Sequence, residues 1–484
     1  MAVEQKSIAW RRRAAEVVNL VLSDRDVAEA PSHFIESARE IYDGLLADQP
    51  DDAVCARSRR FLARQLRNAA GRSNDLPATV DELSSWMTSS TALVGRQYQR
   101  YLADRHSGGP RHYFATRAHA LHFLRAVAPT KLVDGAWLYG LVAQWRDQRF
   151  AELIRIYLEE LGEGERASNH VVIYRKLLAR YDCDQWSNLE DSHFAQGAIQ
   201  LSLARHAREF LPEIIGFNLG YEQLPLHLLI SAYELNELGI DPYYFTLHTT
   251  IDNAATGHAA RAVQAVTDAM PRLGDRKAFY RRVRNGYQLN AAGAGSTQII
   301  AGFDLYREMK DILATKAGVG AGLHSDYCRV AGKTINEWLS VPDQLDGFIQ
   351  ALEHSGWIRR HESPENSRFW KLLEGDSAPM FGVFTAYERQ VIHDWIAGDA
   401  RSPVARRARA CHEQGSGDAL AWGADLPPRG DDFAADSRLL AERVAQSRNR
   451  SAAMDLLVPW LSPAHHHSET GLQATRMFSQ LFRS

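Results

Sequence analysis

Cysteine is scarce in this chain: four residues in 484, Cys55, Cys183, Cys328 and Cys411, all far apart. They cannot form a CxxC redox pair or a cysteine-rich zinc module, and the pattern fits a reducing cytoplasm. No stretch approaches the roughly 18 apolar residues of a membrane span, so no membrane association is expected. A formal net charge of −3 gives no global attraction for nucleic acid or anionic lipid. There is no internal repeat, no Walker-type loop, no GxGxxG after a strand and no GxSxG elbow. These absences remove the familiar nucleotide-binding and serine-hydrolase readings.

Strand-like alternation is also scarce, whereas apolar residues recur at helical spacing in HALHFLRAV (119 to 127), AELIRIYLEEL (151 to 161) and HVVIYRKLLARY (170 to 181). The fold class is therefore all-α. Residues 1 to 84 read as a helical N-terminal region closed by the breaker-rich GRSNDLPATVDE, and 85 to 330 as the central domain. A small unit follows at 331 to 398, then a Gly-, Pro- and Arg-rich linker or loop at 399 to 437 and a helical tail at 438 to 484. The opening MAVEQKSIAWRRRAAEVVNLVLSD resembles an export signal superficially. Glu16 and Asn19 interrupt its apolar run and no small-residue cleavage site follows, which favours an amphipathic helix.

The most informative stretch is YYFTLHTTIDNAATGHAARAV, residues 243 to 263. Read as one helix, it sets His248 and Asp252 about 40° apart and His258 about 80° to the other side, a face about 120° wide. One histidine on an apolar face is usually a core residue; a His, Asp, His trio is also a metal-ligand pattern. Upstream, YLEELGEGERASNHVVIYRKLL offers Glu159, Glu160, Glu163 and His170, and FLPEIIGFNLGYEQLPLHLLISAYELNEL offers Glu213, Glu222, His227, Glu234 and Glu237. Glu234 and Glu237 read as surface charges; Asp134 in KLVDGAW reads as a helix cap in preference to another carboxylate near the site, and His119 and His122 as core residues in preference to groups supporting the ligands or the substrate. The run His465 to His467 reads as a solvated terminal segment. Carboxylates and imidazoles from several facing helices are what a di-metal site in a helical bundle requires.

The order E-L-G-x-G…N-H (160 to 170), G-Y-E (220 to 222) and Y-F-x-L-H-x-x-I-D-N-x-x-x-G-H (244 to 258) resembles the haem-oxygenase-like di-iron oxidase and oxygenase superfamily, in its group of iron-containing redox enzymes. The resemblance covers roughly residues 85 to 330. It implies a haem-oxygenase-like helical bundle holding two Fe(II) per chain, with dioxygen as co-substrate and a small organic molecule as substrate. Carried over one by one, the metal ligands are Glu160, His170, Glu222, His248, Asp252 and His258. Glu163 is the alternate to Glu160, since it lies seven residues before His170 and about 20° from eclipsed. Family members often carry the last histidine three residues after the aspartate; Ala255 stands there in this chain. The implied reaction is N-oxygenation, C–H oxidation or oxidative C–C cleavage. A metal-free enzyme of the same fold and a helical binding or scaffold protein are the alternatives. A homodimer is compatible with the sequence, and nothing in it names an electron donor or carrier protein.

Overall fold

Helical periodicity, with Asn, Asp or Thr at helix starts, builds nearly every element of the chain. Asp51 accepts from Val54 N at 2.6 Å, Thr116 from His119 N at 3.2 Å and Asn169 from Val172 N at 3.0 Å, each satisfying an amide that the first turn leaves without a partner. The computed structural model describes residues 36–186, 188–251, 257–320, 327–375, 378–380, 382–400 and 432–484. The N-terminal amphipathic stretch and most of the 399–437 segment lie outside them.

The helices that frame the site are α1 (Ala38–Leu45), α2 (Asp52–Ala69), α3 (Leu83–His106), α4 (Arg117–Ala126), α5 (Ala151–Glu160), α6 (His170–Arg180), α7 (Ala195–Arg205), α8 (Leu211–Tyr221), α9 (Leu226–Glu237), α10 (Tyr243–Ile251), α11 (His258–Ala269), α12 (Arg276–Gln288), α13 (Leu305–Gly320), α14 (Leu345–His354), α15 (Ala386–Ala397), α16 (Arg450–Leu457) and α17 (Glu469–Arg483). Among the described residues the sole sheet is a two-residue antiparallel ladder pairing Arg329 with Thr334 and Val330 with Lys333. No described helix is long and apolar enough to cross a membrane.

Two apolar cores organise the bundle. The first joins α1, α2, α5, α7, α8 and α11 to Leu461, Ala474 and Phe478 of the C-terminal segment. The second joins α4, α6, α9 and α10 to α13, α14 and α15. The expected boundaries at 84, 330 and 438 therefore do not separate independent cores. The N-terminal helices and the tail complete the first core, and residues 331 to 398 help to complete the second. Sequence periodicity identifies helices, whereas the partner of each apolar face is set by tertiary packing.

The α8–α12 crossing is unusually close: a Cβ on Gly216 would overlap the carbonyl oxygen of Val283, and one on Gly286 that of Glu213. Backbone contact of this kind seats α8, and with it Glu222 at its C-terminal end.

Several polar residues are placed differently from their sequence reading. Glu234 is fully buried, accepting from Tyr101 Oη at 2.8 Å and from the amides of His112, Tyr113 and Phe114. Glu237 pairs with Arg105 at 2.6 Å. The histidine run is not solvated either, because His466 is 1 % exposed and its Nδ1 accepts from Asn169 Nδ2 at 3.2 Å.

Burial and Lys131 push His227 down to about 4, and burial and Arg175 do the same to His467. An unfolded imidazole protonates near 6.5, so between that pH and about 4 the unfolded chain binds more protons than the folded one. Stability accordingly falls as pH drops through this window. Thermal midpoints at pH 7.5, 5.5 and 4.5 should decrease in that order; a midpoint unchanged between 7.5 and 4.5 would show that these imidazoles protonate freely in the fold.

Candidate metal centre

Two groups of buried ligand-type side chains meet where helices of the two cores adjoin. Asp134, Glu160, His170 and His248 each offer one atom within 4.8 Å of the others, and Glu160, Glu222 and His258 do the same. Glu160 belongs to both groups. Helices α5, α8 and α11 of the first core bring Glu160, Glu222 and His258, while α6 and α10 of the second bring His170 and His248.

Local sequence explains how the shared residue is presented. Glu160 ends α5 and His170 begins α6, and the chain between them reverses through three left-handed residues, Gly162 (φ 62°), Glu163 (φ 51°) and Gly164 (φ 88°). A Cβ at Gly162 would overlap the Asn169 amide, so glycine permits both the turn and the close return of the chain. This reversal invalidates helix-angle arithmetic between Glu163 and His170. Glu163 turns outward to pair with Arg483 and belongs to neither group. Asn169 then ties the ends together, its Nδ2 donating to Leu161 O at 3.1 Å.

The segment 243 to 263 is not one helix. It forms α10 and α11, the latter beginning at His258 after an extended Gly257 (φ −82°, ψ −165°). His258 therefore approaches from the start of a separate helix, which replaces the single-face geometry expected from periodicity. Asp252 lies outside the described residues.

The electrostatics are those of a site shaped for cations. His248 Nδ1 lies 2.8 Å from Tyr244 O, which only accepts, so this nitrogen carries the proton. In the neutral ring that leaves the Nε2 lone pair facing Asp134 Oδ2 at 3.4 Å. His258 Nε2 lies 2.9 Å from Glu159 Oε2, and its Nδ1 lies 3.1 Å from Glu222 Oε2 and 3.3 Å from Glu160 Oε1, so three carboxylates surround one imidazole. This concentration of acceptors is one that protons or a metal ion must relieve. His170 is fully buried with neither ring nitrogen in a hydrogen bond, although Nδ1 lies 2.5 Å from Glu160 Oε2; Asp134 Oδ1 is likewise buried without a donor. Orphaned polar atoms in a low-dielectric site are costly unless an ion satisfies them.

Burial alone would raise these carboxyls. His170 and His258 nevertheless hold Glu160 well below the usual range, and Lys131 and His248 hold Asp134 below it. Glu159, also pushed upward by burial, is lowered by His258 and Arg261, with which it forms an ion pair. The carboxylates are ionised and the imidazoles are oriented by neighbours, the usual preparation of metal ligands.

Sequence reasoning preferred a cap to a site carboxylate for Asp134 and missed the support that Glu159 gives. Asp134 is 2 % exposed, precedes Gly135 (φ 77°) and caps nothing; the adjoining short helix has no side-chain cap. Tyr244 Oη donates to it from α10. The available signal was an aspartate inside the apolar KLVDGAWL. Among the other candidates, Glu213 pairs with Arg282 at 2.6 Å and His119 Nε2 donates to Ile300 O at 2.8 Å, neither joining the site.

Residues 121–291 match the model of a family described as iron-containing redox enzyme. The match covers the central part of the chain, which is similar to this family. The matched residues include Asp134, Glu160, His170, Glu222, His248 and His258, so both ligand groups lie wholly within the family region. No curated protein and no solved structure matches the chain. That match points to an iron-dependent oxidoreductase, and the all-α architecture of the described residues is the one the haem-oxygenase-like resemblance implies.

Proposed function

We propose that the protein is a non-haem di-iron oxidase or oxygenase that uses dioxygen to oxidise a small organic molecule by N-oxygenation, C–H oxidation or oxidative C–C cleavage. The observation that carries this reading is the carboxylate shared by two ligand groups: Glu160 lies within reach of Asp134, His170 and His248 on one side and of Glu222 and His258 on the other. Paired metal positions bridged by a carboxylate are a recurrent design in helical bundles. Mixed imidazole and carboxylate donors without thiolate suit ferrous iron. Bound Fe(II) supplies the electrons for dioxygen reduction.

The chain's own residues would hold and orient. Asp134, His170 and His248 would hold one iron, Glu222 and His258 the other, with Glu160 between them; Asp252, outside the described residues, is proposed as a further ligand. Tyr244 fixes Asp134 through its hydroxyl and His248 through its carbonyl oxygen, coupling two ligands to one residue of α10. Glu159, held by Arg261, contacts His258 Nε2 and would orient the ring with Nδ1 toward Glu160 and Glu222. Burial keeps bulk water from competing for these positions.

Anaerobic reconstitution followed by metal analysis tests the reading. Close to two irons per chain and Fe(II)-dependent oxygen consumption are expected. Protein that takes up zinc but not iron, or holds no metal at all, would leave the di-iron assignment without support.

A further inference from the structure

Among the described residues, Lys131 is the lysine or arginine paired with the first ligand group. Its Nζ lies 4.0 Å from Asp134 Oδ2, beyond hydrogen-bond distance, and over the rings of Tyr221 and Tyr244 at 5.5 and 5.6 Å from their centroids. Among the described residues no hydrogen-bond acceptor and no second carboxylate engages it. Its side chain is 14 % exposed against 1 % for Asp134, so the ammonium stands between solvent and the buried group. Tyr221 and His227, which interact with it, are only partly buried. The Tyr221 hydroxyl accepts from Gln200 at 3.2 Å and donates to no described residue.

Charge balance gives this placement a consequence. Without metal, Lys131 offsets the charge of Asp134. Two divalent ions would bring four positive charges to a pocket where Asp134, Glu160 and Glu222 supply three negative ones and Asp252 at most a fourth. Asp134 would then be neutralised by iron, leaving an ammonium with three donors, flanked by aromatic faces, at the edge of the site. An ammonium in that position favours an anion, and the two rings provide apolar walls for the carbon skeleton that carries it.

Resting on the di-iron reading above, we infer that Lys131 anchors the substrate and that the substrate is a carboxylic acid, bound as its carboxylate with its carbon chain directed toward the metals. Lys131 is thus a specificity-determining residue. This goes beyond the oxidation chemistry, because it selects the class of molecule presented to the site.

The test uses butyrate as probe, with butylamine and butanol as controls of similar size, titrated anaerobically into iron-loaded wild-type, Lys131→Met and Lys131→Arg proteins by calorimetry, with iron measured in every sample. Butyrate should bind wild type and bind Lys131→Met about tenfold or more weakly, in keeping with loss of a charge-assisted hydrogen bond. Lys131→Arg should retain part of the affinity, butylamine should not bind, and all three proteins should hold the same iron. Equal butyrate affinity in wild type and Lys131→Met, or no butyrate binding to iron-loaded wild type, overturns the inference. Loss of iron in Lys131→Met alone would make Lys131 a positioning residue for Asp134, which also overturns it while leaving the di-iron reading intact. Wild type that holds no iron defeats that reading itself, and the inference with it.

Discussion

Glu160→Ala should empty both proposed iron positions, whereas Asp134→Ala and Glu222→Ala should each weaken one. Only Glu160 reaches both ligand groups, with Oε2 at 2.5 Å from His170 Nδ1 and Oε1 at 3.3 Å from His258 Nδ1. Removing it leaves Asp134, His170 and His248 on one side and Glu222 with His258 on the other, with no anion between the two cations to reduce their repulsion. Loss of even a supporting group commonly costs 10- to 100-fold in metal affinity, and loss of a shared ligand acts on both ions at once. The expected result is near-zero iron in Glu160→Ala, about one iron per chain in Asp134→Ala, and a wild-type content in Glu163→Ala, whose carboxylate is occupied by Arg483. Helical circular dichroism should stay close to wild type in all three. Two irons retained by Glu160→Ala would show that the shared carboxylate is not a bridge.

Ending the chain after Leu457 should abolish folding as well as iron binding. The segment beyond it contributes Leu461, Leu472, Ala474 and Phe478, all buried, and each large apolar side chain is worth about 1.5–3 kcal/mol on burial. Against a typical net stability of about 5–15 kcal/mol, that loss is decisive. The segment also braces the loop between two proposed ligands: Tyr157 Oη donates to Leu461 O at 2.5 Å, Arg476 Nη2 to Gly164 O at 3.1 Å, and Asn169 Nδ2 to His466 Nδ1 at 3.2 Å. Truncated protein should therefore be aggregated or lack cooperative thermal unfolding. His466→Ala separates the two contributions: it should fold, and hold iron less tightly than wild type because Asn169 loses one of its restraints. A truncated chain that unfolds cooperatively and loads two irons would reduce the tail to an appendage.

The helical class and the chemical type of the site were legible in the sequence because both are local. A 3.6-residue apolar period needs no distant partner, and glutamate or histidine inside an apolar helix stands out wherever that helix packs. Local surroundings marked a pool of acids and histidines, and the family resemblance singled out Glu160, His170, Glu222, His248 and His258 from it; the structure brings these five into two adjoining groups. Glu163 could not be separated from Glu160 by periodicity, because the left-handed turn at 162 to 164 falls between them and His170. Asp134 was ranked as a cap for another reason: an aspartate before glycine suits a cap or a turn, and its partner Tyr244 lies 110 positions away. The same non-locality hid the roles of Glu159 and Lys131, which consist entirely of neighbours supplied by α11, α8 and α10. It also hid the part played by the histidine run, whose middle ring is buried against the residue that caps α6. Sequence alone determined an all-α chain with carboxylate and imidazole donors. Tertiary structure decided which donors share a metal site, which cation stands beside it and which distant segment braces it, because charge pairing and burial are properties of residues that meet only when the chain folds.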